Sequence, residues 1–229
     1  MDGFFRNFGN LEELFNQVIM RIIPALLCIT IHELAHGFTA YKLGDRTAKD
    51  MGRLTLNPIK HIDPVGLFIM LVIRFGWAKP VPVDMRNFKH PKWYMAITAL
   101  AGPVSNIILA AVMMMLFGLV IIPLAGSAAG SVTLEIIYNA IFISVALAVF
   151  NMLPLPPLDG SKVLFSLLPD GIYNKILSYD RIGMFVIIAI VGVQLIFGIN
   201  IIGMIILYPT ELILSALGVF FEFTFNLVN

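Results

Sequence analysis

The sequence predicts an all-α polytopic membrane protein, and three observations carry that prediction. Hydrophobic residues make up 59% of the chain and charged residues 13%, against roughly 45–50% and about 25% in soluble globular proteins. Mean hydropathy is +0.92. Residues 97–124 carry no formal charge at all. A chain of 229 residues cannot hide that much apolar surface in one aqueous core, so the bilayer must be the solvent for most of it. A net charge of +1 with no basic stripe speaks against nucleic acid as a partner. The single cysteine, Cys28, excludes an intrachain disulfide and a cysteine-based metal cluster.

Each element follows from length and polarity. The first 13 residues carry more acid than base, so no cleavable signal peptide is expected there. Phe4, Phe5, Phe8, Leu11, Leu14 and Phe15 have the spacing of an apolar helix face lying on a membrane surface, or else belong to a frayed polar start. A spanning helix needs about 20 mostly apolar residues, whereas about 10–14 suit an interfacial or re-entrant piece. About five transmembrane helices are expected, at 18–43, 95–124, 134–153 and two within 182–228. The turn between the last two falls at 198–200 or at 208–211. Residues 62–73 are too short to span, open with Asp63 and Pro64, and stop at Arg74. They read as a re-entrant or surface piece followed by extended, proline-punctuated backbone, GWAKPVPV at 76–83. Pro80 and Pro82 suit a short edge on which an unwound partner strand could pair, or a plain tether between spans. No linker, repeat or soluble domain interrupts the chain, which reads as one integral-membrane domain over 1–229.

Orientation follows from basic residues. Ten of the 15 Lys and Arg lie between Lys42 and Lys92, and the 160–181 region adds Lys162, Lys175 and Arg181. The short loop at 125–133 has none. The positive-inside rule places 43–94 and 154–181 in the cytoplasm. The carboxyl ends of the first and third spans then meet on that side.

Within the first span stands His32-Glu33-Leu34-Ala35-His36, an HExxH pattern. Residues four apart share a helix face, so both imidazoles reach one metal while Glu33 stands one position round from His32. An ionised acid inside a membrane helix costs roughly 2.5–3.5 kcal/mol on insertion scales and marks function by default. A catalytic zinc takes three protein ligands and keeps one open position. Asp159 is the candidate third ligand. It follows a span directly, sits in rigid proline-rich backbone, precedes Gly160, and returns to the motif's side by the parity above. Zinc at +2 with Asp159 and Glu33 ionised sums to zero, which a low-dielectric site tolerates best. Cys28 shares the stripe of His32 and suits small apolar packing, while His61 and His90 suit structural hydrogen bonding.

With these residues assembled, the chain resembles the site-2 protease family of intramembrane zinc metalloproteases, in its compact prokaryotic form without a PDZ domain. The resemblance covers roughly 18–180 and rests on HExxH, GRLTLNPIKHIDPVG at 52–66, GWAKPVPV at 76–83, AGPVSN at 101–106 and FNMLPLPPLDG at 150–160. It implies one Zn2+ per chain held by His32, His36 and Asp159, with Glu33 as the catalytic acid and base. It also implies that Asn151 and Asn106 hold the substrate or its oxyanion. The expected activity is hydrolysis of peptide bonds in transmembrane segments of membrane-protein substrates. The expected location is the cell membrane, multi-pass, with the active site towards the cytoplasm. A zinc-binding membrane regulator or metal-handling protein without proteolysis would use the same ligands. Glu33 argues against it, because closed structural zinc sites prefer four protein ligands.

Overall fold

A computed structural model describes residues 18–73, 76–177 and 180–228. The apolar face expected from Phe4 to Phe15 lies outside them. A π-helical turn, Val18–Ile22, leads into α1 (Ile23–Lys42), followed by α2 (Thr47–Asp50), a 3-10 turn (Pro58–His61) and α3 (Pro64–Ile73). After a second 3-10 turn (Met85–Asn87) come α4 (Pro91–Leu124), α5 (Ala128–Asn151), α6 (Asp159–Phe165), α7 (Asp170–Leu177), α8 (Asp180–Phe197) and α9 (Ile201–Val228). The described residues contain no strand, only an isolated antiparallel pairing of Ile62 with Ala78. The chain is an all-α polytopic membrane protein.

Among the described residues, four helices are long and apolar enough to cross a bilayer: Ile19–Lys42, α4, α5 and α9. The fifth expected span corresponds to α8, 18 residues long and apolar from Ile182 onward. At 1.5 Å per residue it rises about 27 Å, close to a hydrocarbon core of about 30 Å. The turn between α8 and α9 lies at the first of the two expected places. Gly198 adopts φ +72° and donates its N–H to the Gln194 carbonyl at 2.9 Å, closing α8. Asn200 Oδ1 then accepts the Gly203 N–H at 2.9 Å and caps α9. Pro209, at the rejected place, sits inside α9.

α4 is the hub, packing on α1, α5, α6 and α9. It starts at Pro91, before the expected residue 95, because proline suits the first helical turn. Ala110 of α4 meets Ile137, Ile141 and Val145 of α5 and Leu217 of α9 in the buried core. At α4's amino end Lys92 donates to the Leu168 carbonyl and pairs with Asp170 at 3.0 Å, tying the α6–α7 connection to the hub.

The re-entrant piece is α3. Asp63 Oδ1 accepts the Gly66 N–H at 2.8 Å and sets the helix start. Ten residues rise about 15 Å, half the hydrocarbon thickness, so α3 cannot cross. The chain beyond it returns past Gly66, where a Cβ would stand 2.0 Å from the Trp77 carbonyl oxygen. Only glycine permits that passage. The Lys79 N–H then reaches the His61 carbonyl at 2.9 Å.

A buried carboxylate clamps the loops to this frame. Asp45, fully buried, accepts from the Thr47 N–H at 3.0 Å and the Thr47 hydroxyl at 2.5 Å. It also accepts from the Asp84 N–H and from Asn87 Nδ2, both at 2.7 Å. Asp45→Ala would strand all of these donors. We expect a loss of about 3 kcal/mol, read as a fall in Tm of about 6 °C or more in detergent. An unshifted melting curve would refute this role.

Candidate metal centre

The site forms where α1, α4 and α6 converge. Helical spacing places His32 and His36 one above the other on α1, with ring centroids 4.5 Å apart and planes at 88°. Asp159 opens α6 directly after the proline-rich turn. His32 Nε2 and His36 Nε2 lie 3.0 Å apart, and each is 3.1 Å from Asp159 Oδ2. The three side chains are 5%, 9% and 6% exposed, respectively. Zinc bound tetrahedrally at about 2.0–2.1 Å separates its ligands by about 3.3 Å, so the triangle has the size of a zinc coordination face. Three potential lone-pair donors held so close in a dry place fit a shared cation.

Second partners fix which ring atoms face inward. His36 Nδ1–H donates to the Thr98 carbonyl at 2.7 Å, leaving Nε2 as the lone-pair atom. Pro103, one turn further on inside α4, lacks the N–H that would serve the Ala99 carbonyl and so loosens the ladder beside Thr98. Asn106 Nδ2 stands 3.3 Å from His32 Nδ1, an arrangement that leaves Asn106 Oδ1 buried without a partner. Turning the amide over sets Oδ1 on an Nδ1–H, the tautomer that frees His32 Nε2. Lys162 Nζ stands 3.5 Å from Asp159 Oδ1, leaving Oδ2 to the histidines.

The other residues singled out by sequence fall as follows. Glu33 is not one of the three grouped residues, and its Oε2 accepts the Val81 N–H at 2.7 Å. Asn106, expected at the substrate, has no exposed surface and lies on the Nδ1 edge of His32. Asn151 is partly exposed and donates to Leu147 within its own helix at 2.9 Å. Cys28 is buried and turns its thiol to the Ala140 carbonyl at 3.5 Å, as packing. His61 Nε2–H donates to the Thr55 carbonyl at 2.9 Å, and His90 packs edge-on against Tyr94, both outside the triangle. Sequence reasoning missed Thr98, because a backbone carbonyl leaves no trace in residue identity. It also missed Gly102, although the AGPVSN block contains it.

Gly102 lets α4 pass directly over the histidines. A Cβ there would lie 2.4 Å from His36 Nε2 and 2.6 Å from His32 Cε1. Gly102→Ala is therefore expected to splay the imidazoles and weaken metal retention about 10–100-fold, with helix content unchanged by circular dichroism. Metal content equal to the parent protein would contradict this packing argument.

Comparison with known proteins agrees with this geometry. A family model described as Peptidase family M50 matches residues 115–194, a stretch that includes Asp159. The Bacillus subtilis protein named "Putative zinc metalloprotease YwhC" is 43% identical over 176 residues, 74% of this chain and 78% of that protein. "Putative zinc metalloprotease Rip2" of Mycolicibacterium smegmatis is 31% identical over 154 residues, 64% of this chain and 56% of that protein. The protein of the same name from Mycobacterium tuberculosis is 30% identical over 155 residues, with the same coverage of 64% and 56%. This chain thus spans just over half the length of the mycobacterial relatives. No solved structure matches. Identity across most of both chains extends the match well beyond the 115–194 block, and the chain belongs to peptidase family M50, the site-2 protease type of zinc metallopeptidase.

Proposed function

We propose that this chain is an intramembrane zinc-dependent endopeptidase that hydrolyses peptide bonds in transmembrane segments of membrane proteins. The observation that carries this reading is the Nε2, Nε2, Oδ2 triangle at 3.0–3.1 Å, with an unligated carboxylate, Glu33, beside it. In this reading His32, His36 and Asp159 are the zinc ligands, and a fourth position stays open. Zinc bound there supplies a water of lowered pKa and polarises the scissile carbonyl. Glu33 takes the proton of the attacking water and delivers it to the leaving nitrogen. Thr98 and Asn106 hold the imidazoles so that Nε2 faces the reacting centre. Asn151, partly exposed at the end of α5, is the one of the two asparagines with surface to offer a substrate.

Depth supports the intramembrane reading. His36 lies six residues before the end of α1, about 9 Å along the axis, near enough to the helix end for water to enter. A helical substrate must unwind there, because its amides are otherwise bonded internally and hard to attack. The basic loops at the same end of α1 support a cytoplasmic active site.

Purified protein is expected to hold about one zinc per chain. Full occupancy in His36→Ala would overturn the ligand set. Glu33→Gln should keep zinc and lose at least about 100-fold in kcat; turnover at the parent rate would remove Glu33 from the mechanism. For topology, a cysteine placed in the 125–133 loop should label from outside intact cells, and one at Lys49 only after permeabilisation. The reverse pattern would move the site to the other face.

A further inference from the structure

We infer that Arg53 is a positioning residue for the general base, acting through the backbone from Lys79 to Val81. The inference rests on the assignment of Glu33 as that base. Arg53 is 7% exposed, and its Nη2 donates to the Lys79 carbonyl at 2.9 Å and to the Pro80 carbonyl at 3.2 Å. The Pro80 carbonyl belongs to the same peptide group as the Val81 N–H, which donates to Glu33 Oε2 at 2.7 Å.

The sequence around Val81 suits this single task. Pro80 and Pro82 flank it and have no N–H, so Val81 carries the only amide hydrogen between 80 and 82. The Val81 side chain is 7% exposed and lies against α1, where a Cβ on Gly37 would come within 2.8 Å of its Cγ1. On the other side the Lys79 N–H is bonded to the His61 carbonyl at 2.9 Å. Two successive carbonyls gripped by one buried guanidinium, the second of them in the Pro80–Val81 peptide plane itself, set the tilt of the N–H that meets Glu33, and the fixed donor geometry of arginine suits that grip. Bonding Oε2 leaves Oε1 to receive the proton from water. A carboxylate free to swing would spend less time in that geometry.

These contacts also revise the expectation that 76–83 is an edge for a partner strand. Both backbone groups of Lys79, the Pro80 carbonyl and the Val81 amide are turned inward. The segment braces Glu33 instead.

The test compares full-length parent protein with Arg53→Ala and Val81→Pro in proteoliposomes, using a cleavable transmembrane substrate. Zinc content, kcat and KM are measured for each. Both variants should keep about one zinc per chain and lose about 10–100-fold in kcat with little change in KM. Millimolar guanidinium should restore part of the kcat of Arg53→Ala and none of that of Val81→Pro. Parent-level kcat in either variant overturns the inference. So does zinc lost in step with kcat, which would make Arg53 a residue of the fold or metal site. If one variant fails to accumulate, the other decides by the same criteria. Glu33→Gln, run alongside, separates the two levels. Turnover persisting there removes the base assignment itself, whereas a dead, zinc-loaded Glu33→Gln beside a fully active Arg53→Ala removes only the brace.

Discussion

Three electron-rich atoms within 3.0–3.1 Å of one another, in a place that is largely dry, form the constraint on which the rest of the fold depends. Two imidazole nitrogens and a carboxylate oxygen do not stay together unaided; their mutual repulsion grows as the dielectric falls. The helices must impose the arrangement, and a cation must repay it. α1 contributes two ligands at a fixed rise. α4 presses on them through Gly102 and orients them through the Thr98 carbonyl and Asn106. α6 brings in the anion, with Lys162 on its other oxygen. Every contact α4 makes with α1 and α6 thereby serves the site as well as the core.

The sequence allowed much of this to be read, and the failures have physical causes. The candidate ligands were readable because His32 and His36 obey helical periodicity and because polar residues are costly in a membrane helix. Asp159 stood out by its place directly after a span, its proline-rich backbone, Gly160 and the parity of the spans. The place of the turn between α8 and α9 stayed open because composition reports apolarity over 182–228 as a whole, whereas the φ of Gly198 and the Asn200 cap decide it. The contact of Asn106 with His32 was not visible, since the burial of an asparagine and its partner are set by tertiary packing. Contacts made by backbone atoms, at Thr98 and Val81, had no signature at all. Residue type encodes side chains, and these are main-chain contacts whose direction is set by tertiary structure.

Irregular backbone is tolerated at membrane depth only where protein or a cavity surrounds it, so the break between α3 and α4 calls for a reason. Glu33 supplies one. With the His32–His36 face of α1 turned to the metal, Glu33 is carried about 100° round the helix, towards whatever packs there. Another helix could not brace it well. Helix amides beyond the first turn are already bonded within their own ladder and cannot donate outward. A chain that is neither helix nor strand keeps such an amide free, provided that its neighbours are silenced and its carbonyls are satisfied. The sequence Lys79-Pro80-Val81-Pro82 does the first by removing donors on both sides, and Arg53 does the second. The re-entrant turn at Gly66 brings this chain back beside α1. On this view the non-helical segment holds a carboxylate beside, but outside, the candidate metal centre.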